Sequence, residues 1–159
     1  MRFPLLAPVL LSACASEPET FALLRTDAPA GTYLVDVQYD EAIGYPVRFQ
    51  CVAKCSRPVT FVEPIGDHPL GLFSRDQDQL VFYLSSSGSA YQVRVWQIAD
   101  SGVRRVASLG SRGRPDFLSD AQGRAVIDTY EGDSGVGPWS HVRWTYRDGA
   151  FQRTDANVR

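Results

Sequence analysis

Catalysis by a general base in this chain would use one of two histidines, the only two among its 159 residues. His68 lies in a segment bounded by proline and glycine, and His141 opens a run of alternating residues. A histidine base needs a carboxylate to orient it, and folding could bring Asp67 or Asp133 beside these rings. The sequence does not show that arrangement, so a hydrolase that uses His68 or His141 with a carboxylate is kept as an alternative function.

The segment Gly-Asp-Ser-Gly at positions 132–135 resembles the nucleophile motif of chymotrypsin-like serine proteases. Val136 stands where that family has another glycine, and the family's histidine motif is absent from the sequence. Glycine, aspartate and serine are also the residues that ordinary loops use. We therefore interpret 132–135 as a loop and predict no catalytic residue.

The aspartate-rich segment 116–124, which precedes an apolar run, loosely resembles the loop before a strand in calcium-binding propeller repeats. In that family, carboxylates at alternate positions converge on the ion. Leu118 and Ala121 interrupt this alternation here. We interpret the segment as an Asp/Gly turn, and we predict no metal site and no cofactor.

The first residues have the layout of a secretory signal: one positive charge at Arg2, an apolar stretch, and small residues before a cysteine. Positions 11–14, Leu-Ser-Ala-Cys, resemble the lipobox of bacterial lipoproteins. The resemblance implies that the signal is removed before Cys14 and that this cysteine carries a diacylglycerol and an acylated amine. The second residue of the mature chain is Ala15 rather than aspartate, which favours the outer membrane, with the domain facing the periplasm.

The resemblance implies a signal peptide over 1–13 and a lipidated tether over 14–20, and we expect the rest of the chain, 21–159, to form a single β domain. The tether is small, acidic and contains proline, which suits a flexible link. No later segment reaches the roughly 18 apolar residues of a spanning helix. We therefore expect the mature protein to contact the membrane through the lipid at Cys14.

The two remaining cysteines, Cys51 and Cys55, are expected to form a disulfide. Export would place them in an oxidising compartment, where an even number of cysteines favours pairing. A redox pair or part of a zinc site is less consistent with the sequence, because the spacing is not C-x-x-C and only His68 is available as a third ligand.

Composition and pattern indicate one all-β domain, an antiparallel meander in an open propeller-like, barrel or sandwich arrangement. Almost every apolar stretch is short, rich in valine and aromatic residues, and bounded by turn residues. A net charge of −2, with acidic and basic residues interspersed, argues against nucleic acid as a partner. The predicted strands are 33–39, 47–51, 59–62, 79–84, 91–98, 103–109, 124–130, 140–147 and 150–154.

Three units in the chain look like repeats. In each, an apolar strand containing Val35, Val81 or Val126 is followed by a Val-Arg pair at 47–48, 93–94 or 142–143. The pairs are 46 and 49 residues apart, close to the period of four-stranded propeller blades. Three units are too few to close a propeller ring, so an open stack or a repeat-built barrel is expected.

No nucleophile, base and orienting group can be assembled from the sequence alone. We therefore expect a non-enzymatic binding or envelope-associated module, with an envelope protein or a glycan as its partner. Tryptophan is enriched at binding interfaces, and Trp139 follows Gly-Pro in a long loop. Trp139 is the residue predicted to contact that partner.

Overall fold

The computed structural model describes residues 20–56, 60–133 and 137–154. The signal segment and Cys14 lie outside the described residues. The described residues form twelve β-strands and one three-residue 3-10 turn at Asp76–Asp78. The strands are β1 (Thr20–Ala28), β2 (Gly31–Gln38), β3 (Val47–Ala53), β4 (Thr60–Glu63), β5 (His68–Arg75), β6 (Leu80–Ser87), β7 (Ala90–Ala99), β8 (Gly102–Ser111), β9 (Asp116–Ser119), β10 (Ala125–Glu131), β11 (Ser140–Arg147) and β12 (Ala150–Thr154).

The strands form three four-stranded antiparallel sheets, each a simple meander in chain order. The first sheet contains β1 to β4, the middle sheet β5 to β8 and the third sheet β9 to β12. No sheet closes on itself in the described part of the chain, so the arrangement is open and is not a closed barrel. The all-β, antiparallel prediction is confirmed.

The middle sheet lies between the other two, and this explains the continuous apolar run of β6. Val81 and Tyr83 pack in one core with residues of the first sheet, whereas Leu80 and Phe82 pack in a second core with the third sheet. A strand buried on both faces does not need alternating polar residues. Trp96, fully buried, fills the first core and donates a hydrogen bond from Nε1 to Glu63 at 2.9 Å.

The turn residues at 148–149 and 100–102, each between two predicted strands, predict two hairpins, the second with a bulge at Gly102, and both hairpins are present. Asp148 and Gly149 have φ values of 52° and 79°, as a type I′ turn requires. The prediction that Gly102 forms a bulge is wrong, because Gly102 pairs directly with Ala99. Residues 100–101 alone form the turn of that hairpin. Gly102 is therefore a paired residue of β8, and it adopts its positive φ inside the strand.

Three strands were not among those predicted: β1, β5 and β9. The segment predicted as an Asp/Gly turn begins as β9, and the turn starts only at Asp120. The loop containing His68 likewise becomes the start of β5. Each of these strands lies at an edge of its sheet and is the first of the four strands of that sheet in chain order.

The three Val-Arg units fall on the second and third strands of the three sheets, but they are not equivalent in register. Val35 and the Val47 side chain share one face, whereas Val81 packs towards the first sheet and Val93 towards the third. Strand alternation in the sequence also predicts that Arg94 and Arg143 occupy equivalent outward positions, and this prediction is wrong. Arg94 lies on the face of the middle sheet that is turned towards the first sheet, because it pairs directly with Tyr83 of the first core.

Candidate binding site

A five-residue turn at the end of β2 brings two tyrosines together. Backbone hydrogen bonds join Asp40 and Gly44 in both directions, at 2.7 and 2.8 Å. The Asp40 carboxylate also accepts backbone hydrogen bonds from inside the turn. Gly44 has φ +78°, and a Cβ there would lie 2.7 Å from the Ile65 carbonyl oxygen, so glycine is required. The closed turn holds the rings of Tyr39 and Tyr45 5.3 Å apart.

The segment between the first and middle sheets brings His68 to this pair. The backbone N–H of Tyr45 donates to the carbonyl of Ile65 at 2.7 Å, and Ile65 is buried in the first core. His68 follows three residues later as the first residue of β5. Its ring meets Tyr45 edge-on, with centroids 5.7 Å apart.

A β-bulge places Phe21 on the other side of His68. Thr20 pairs with Gln38, but Ala22 pairs with Val37, so Phe21 is an extra residue with no partner in the ladder. Bulges redirect side chains and are common beside functional sites. The Phe21 ring lies 6.4 Å from that of His68.

A second bulge lies at the same end of the stack, on β5. Pro69 pairs with Ser85 and Gly71 with Leu84, which leaves Leu70 unpaired in the ladder. Leu70 is 45% exposed and lies two residues beyond His68. The first strands of the two adjacent sheets are therefore both irregular where the aromatic side chains meet.

These side chains line a cavity of about 390 Å³, the aromatic pocket, defined by Phe21, Tyr39, Tyr45 and His68. Neighbouring rings are inclined at 66° (Phe21 and His68), 89° (His68 and Tyr45) and 55° (Tyr45 and Tyr39). The rings therefore turn around the cavity instead of stacking as a flat platform. Phe21 and Tyr39 remain 42% and 51% exposed, so aromatic surface is open to a partner.

A partly buried ion pair lies beside the aromatic pocket. Both terminal nitrogens of Arg94 donate to Asp67, at 3.2 and 3.1 Å, and one also donates to Ser85. Burial raises the pKa of Tyr83 far above its ordinary value, although the nearby Arg94 opposes this. The Tyr83 hydroxyl is buried and has no hydrogen-bond partner in the described part of the chain.

The surface beside the turn carries an excess of carboxylate. Arg48 lies 3.7 Å from Asp36 and 3.7 Å from Asp40, so two carboxylates share one guanidinium. Burial raises the pKa of Asp36, against the attraction and hydrogen bonding of Arg48.

The other histidine lies on the outer face of the third sheet, in a cluster of charged groups. Arg143 donates two hydrogen bonds to Asp128, at 2.8 and 2.7 Å, and His141 Nε2 lies 3.0 Å from Asp128 Oδ2. Burial of Asp128 raises its pKa, but hydrogen bonds and positive charge from Arg143 and His141 outweigh this and hold the pKa below its ordinary value. Asp128 is only 4% exposed, so its two oxygens are committed to these partners.

A catalytic histidine needs both a position in a pocket and a carboxylate partner, and each of the two histidines has only one of these. His68 lines the aromatic pocket, but among the described residues it makes no hydrogen bond to a carboxylate, because Asp67 binds Arg94. His141 has a carboxylate partner, which is Asp128 and not the Asp133 of the sequence analysis. Strand alternation in the sequence predicts that Val142 and Tyr146 face the core and that Thr145 faces solvent. Val142 and Tyr146 are buried as predicted, but Thr145 is buried too.

Trp139 is 36% exposed and packs over two glycines of neighbouring loops. A Cβ at Gly132 would lie 2.8 Å from its ring, and one at Gly113 would lie 3.1 Å from it. One side of the indole is therefore covered. Its contact with a partner stays a prediction, and positions 134 and 135 of the Gly-Asp-Ser-Gly segment lie outside the described residues.

Cys51 and Cys55 lie at disulfide distance, with Cα atoms 5.9 Å apart. The pair lies at the far end of β3 from the turn that carries Tyr45. Cys14 lies outside the described residues, so its lipidation stays a prediction.

Within the described ranges, no group of three side chains has the residue types and spacing to hold a metal ion. No helix of the described residues is long and apolar enough to cross a membrane. No protein-family model, curated protein or solved structure matches the chain.

Proposed function

We propose that this protein is a lipoprotein of the bacterial cell envelope, anchored through Cys14 at the outer membrane and facing the periplasm. Its β domain acts as a non-enzymatic binding module for a partner in the envelope. The anchor rests on the lipobox resemblance at positions 11–14 and on the cysteine pair, which suits an oxidising compartment.

The observation that carries the binding role is the aromatic pocket. Concave sites lined by aromatic side chains are the usual form of ligand pockets, and about 390 Å³ lies within their range of roughly 300–1,000 Å³. Here β1, the turn after β2 and the start of β5 combine to keep exposed aromatic surface in a recess.

The position of the aromatic pocket agrees with an anchor at Cys14. Phe21 is the second residue of β1, and five residues lie between Cys14 and Thr20, the first residue of this strand. An extended chain spans at most about 3.3–3.6 Å per residue, so a lipidated Cys14 keeps Thr20 within roughly 22 Å of the bilayer. The proposed site therefore faces a partner at or near the membrane.

The anchor is tested by expressing the native chain and Cys14→Ser in a bacterial host and measuring intact mass and detergent partitioning. The native chain should lose residues 1–13, gain the mass of acyl chains and enter the detergent phase, and Cys14→Ser should do none of these. Cys51→Ser is the matched control and should still be processed. An unmodified native chain in the aqueous phase would refute the anchor.

A second candidate, a hydrolase, is favoured by one observation: His141 Nε2 lies 3.0 Å from Asp128 Oδ2. Hydrolysis of a panel of nitrophenyl esters tests it. A hydrolase predicts turnover that His141→Asn abolishes and His68→Asn preserves. The binding role predicts no turnover by the native chain above that of His141→Asn.

A further inference from the structure

The aromatic pocket carries a chemical preference that follows from how its rings are arranged. A sugar ring binds best to a flat aromatic platform on which it can stack. The successive rings from Phe21 through His68 and Tyr45 to Tyr39 turn by 66°, 89° and 55°. Such an arc presents aromatic surface to a compact, rounded group from several directions.

A compact group held by several ring faces gains most when it is positively charged. The face of an aromatic ring carries the negative part of its quadrupole, which attracts a cation within about 6 Å of the ring centre. Methylated ammonium groups combine that charge with an apolar surface, and they lose little hydration when they enter such a site. The two tyrosines supply the more electron-rich rings of the four.

The charges beside the aromatic pocket also favour a positively charged ligand. Arg48 is shared by Asp36 and Asp40, so one positive charge meets two negative ones, and the exposed Glu41 adds another. An anionic ligand would meet repulsion here, whereas a cation would be attracted.

The geometry points to a site for a quaternary ammonium group, held by Phe21, Tyr39, Tyr45 and His68. The group would belong either to a free small molecule or to a lipid headgroup, since both present the same trimethylammonium chemistry. This inference rests on the proposed binding function and names the ligand class of that same site.

The test is a calorimetric titration of the full chain, purified in a non-ionic polyoxyethylene detergent, with choline and with 3,3-dimethyl-1-butanol. The alcohol has the shape of choline but no charge. Cation–π attraction of about 0.5–2 kcal/mol corresponds to a preference for choline of about 2- to 30-fold. Equal or tighter binding of the neutral alcohol would overturn the inference, and so would binding of methyl glucoside alone.

Substitutions locate the binding. Tyr39→Leu and His68→Leu keep apolar volume but remove a ring, and each should weaken choline binding at least twofold. Tyr39→Phe keeps a ring that is less electron-rich, so it should weaken choline binding less than Tyr39→Leu does. Leu118→Ala removes an exposed apolar side chain of the third sheet that does not line the pocket, and it should bind choline as the native chain does. Unchanged binding by both leucine variants, with melting temperatures equal to that of the native chain, would place any choline elsewhere and overturn the inference.

Vesicles separate the two sources of the group. Flotation with phosphatidylcholine vesicles beyond that with phosphatidylglycerol vesicles, inhibited by free choline, assigns the group to a lipid headgroup. Binding of free choline without that preference assigns it to a small molecule. Choline binding by a chain that proves unlipidated refutes the anchor and keeps this inference, whereas a lipidated chain that ignores choline refutes only the inference.

Discussion

The surroundings of the two histidines differ in how far their side chains are already bonded within the protein. Around His141, the charged groups satisfy one another: Asp128 binds both His141 and Arg143 and is almost fully buried. Around His68, Phe21 and Tyr45 contact the imidazole ring to ring, and Tyr39 keeps half of its surface in solvent.

This contrast separates a structural cluster from a binding surface. A ligand at Asp128 would have to displace bonds from Arg143 that the fold already uses, at a cost of about 1.5–3 kcal/mol for each hydrogen bond to a charged group. A ligand in the aromatic pocket displaces only water from apolar surface, which is favourable. The region around His68, where no such hydrogen bond has to be broken, is therefore the better candidate for a binding site.

Among the changes in the two histidine regions, the largest expected effect is on stability at the third sheet. Asp128→Ala removes the shared acceptor of Arg143 and His141, and it should lower the free energy of unfolding by about 1.5–3 kcal/mol in urea denaturation. Asp36→Ala is the matched control, because Asp36 also faces an arginine on the neighbouring strand, but at 3.7 Å. Its cost should stay below about 1 kcal/mol. Equal losses of unfolding free energy in both variants would mean that the Asp128–Arg143 pair is no stronger than the Asp36–Arg48 pair.

A smaller effect is expected in acid. The pKa of Asp128 is lower in the folded than in the unfolded protein, so its contribution to stability is present above about pH 4 and is lost as pH falls below that value. The pKa of Asp36 is raised instead, so its protonation favours the folded state. Between pH 5 and pH 2, the loss of stability should be shallower in Asp128→Asn and steeper in Asp36→Asn than in the native chain. The opposite order would contradict the assigned directions.

The smallest effect on stability is expected at the aromatic pocket. Tyr39 is 51% exposed and lies outside the cores, so Tyr39→Leu should change the free energy of unfolding by no more than about 0.5 kcal/mol. The same measurement on Trp96→Ala, a fully buried side chain, should show a loss of about 3–5 kcal/mol. A large loss in Tyr39→Leu would mean that the pocket is part of the structural core.

The strands that sequence patterns missed share a physical property, because β1, β5 and β9 are all edge strands. An edge strand tolerates residues that a central strand excludes, as Pro69 and Gly71 in β5 show. In β1 the alternation is hidden, because the outward Leu23 is apolar yet 66% exposed. The central strands were predictable, since their apolar and β-branched residues are needed on buried faces.

The aromatic pocket could not be predicted from the sequence, because its four residues belong to no motif. Tyr39 and Tyr45 flank a turn whose aspartate and glycine are readable as turn residues. Phe21 and His68 join them only through two bulges and through the packing of the first sheet on the middle one. A histidine between prolines and glycines was visible as a candidate, but its aromatic neighbours depend on tertiary structure.

The most direct test of the binding site uses the fact that the chain contains only two histidines. Their ring C–H signals can be followed by NMR in one sample while choline is added, and the His68→Leu variant assigns them. The account predicts a saturable shift of the His68 signals and no shift of the His141 signals. A shift confined to His141, or none at either ring up to saturating choline, would contradict it.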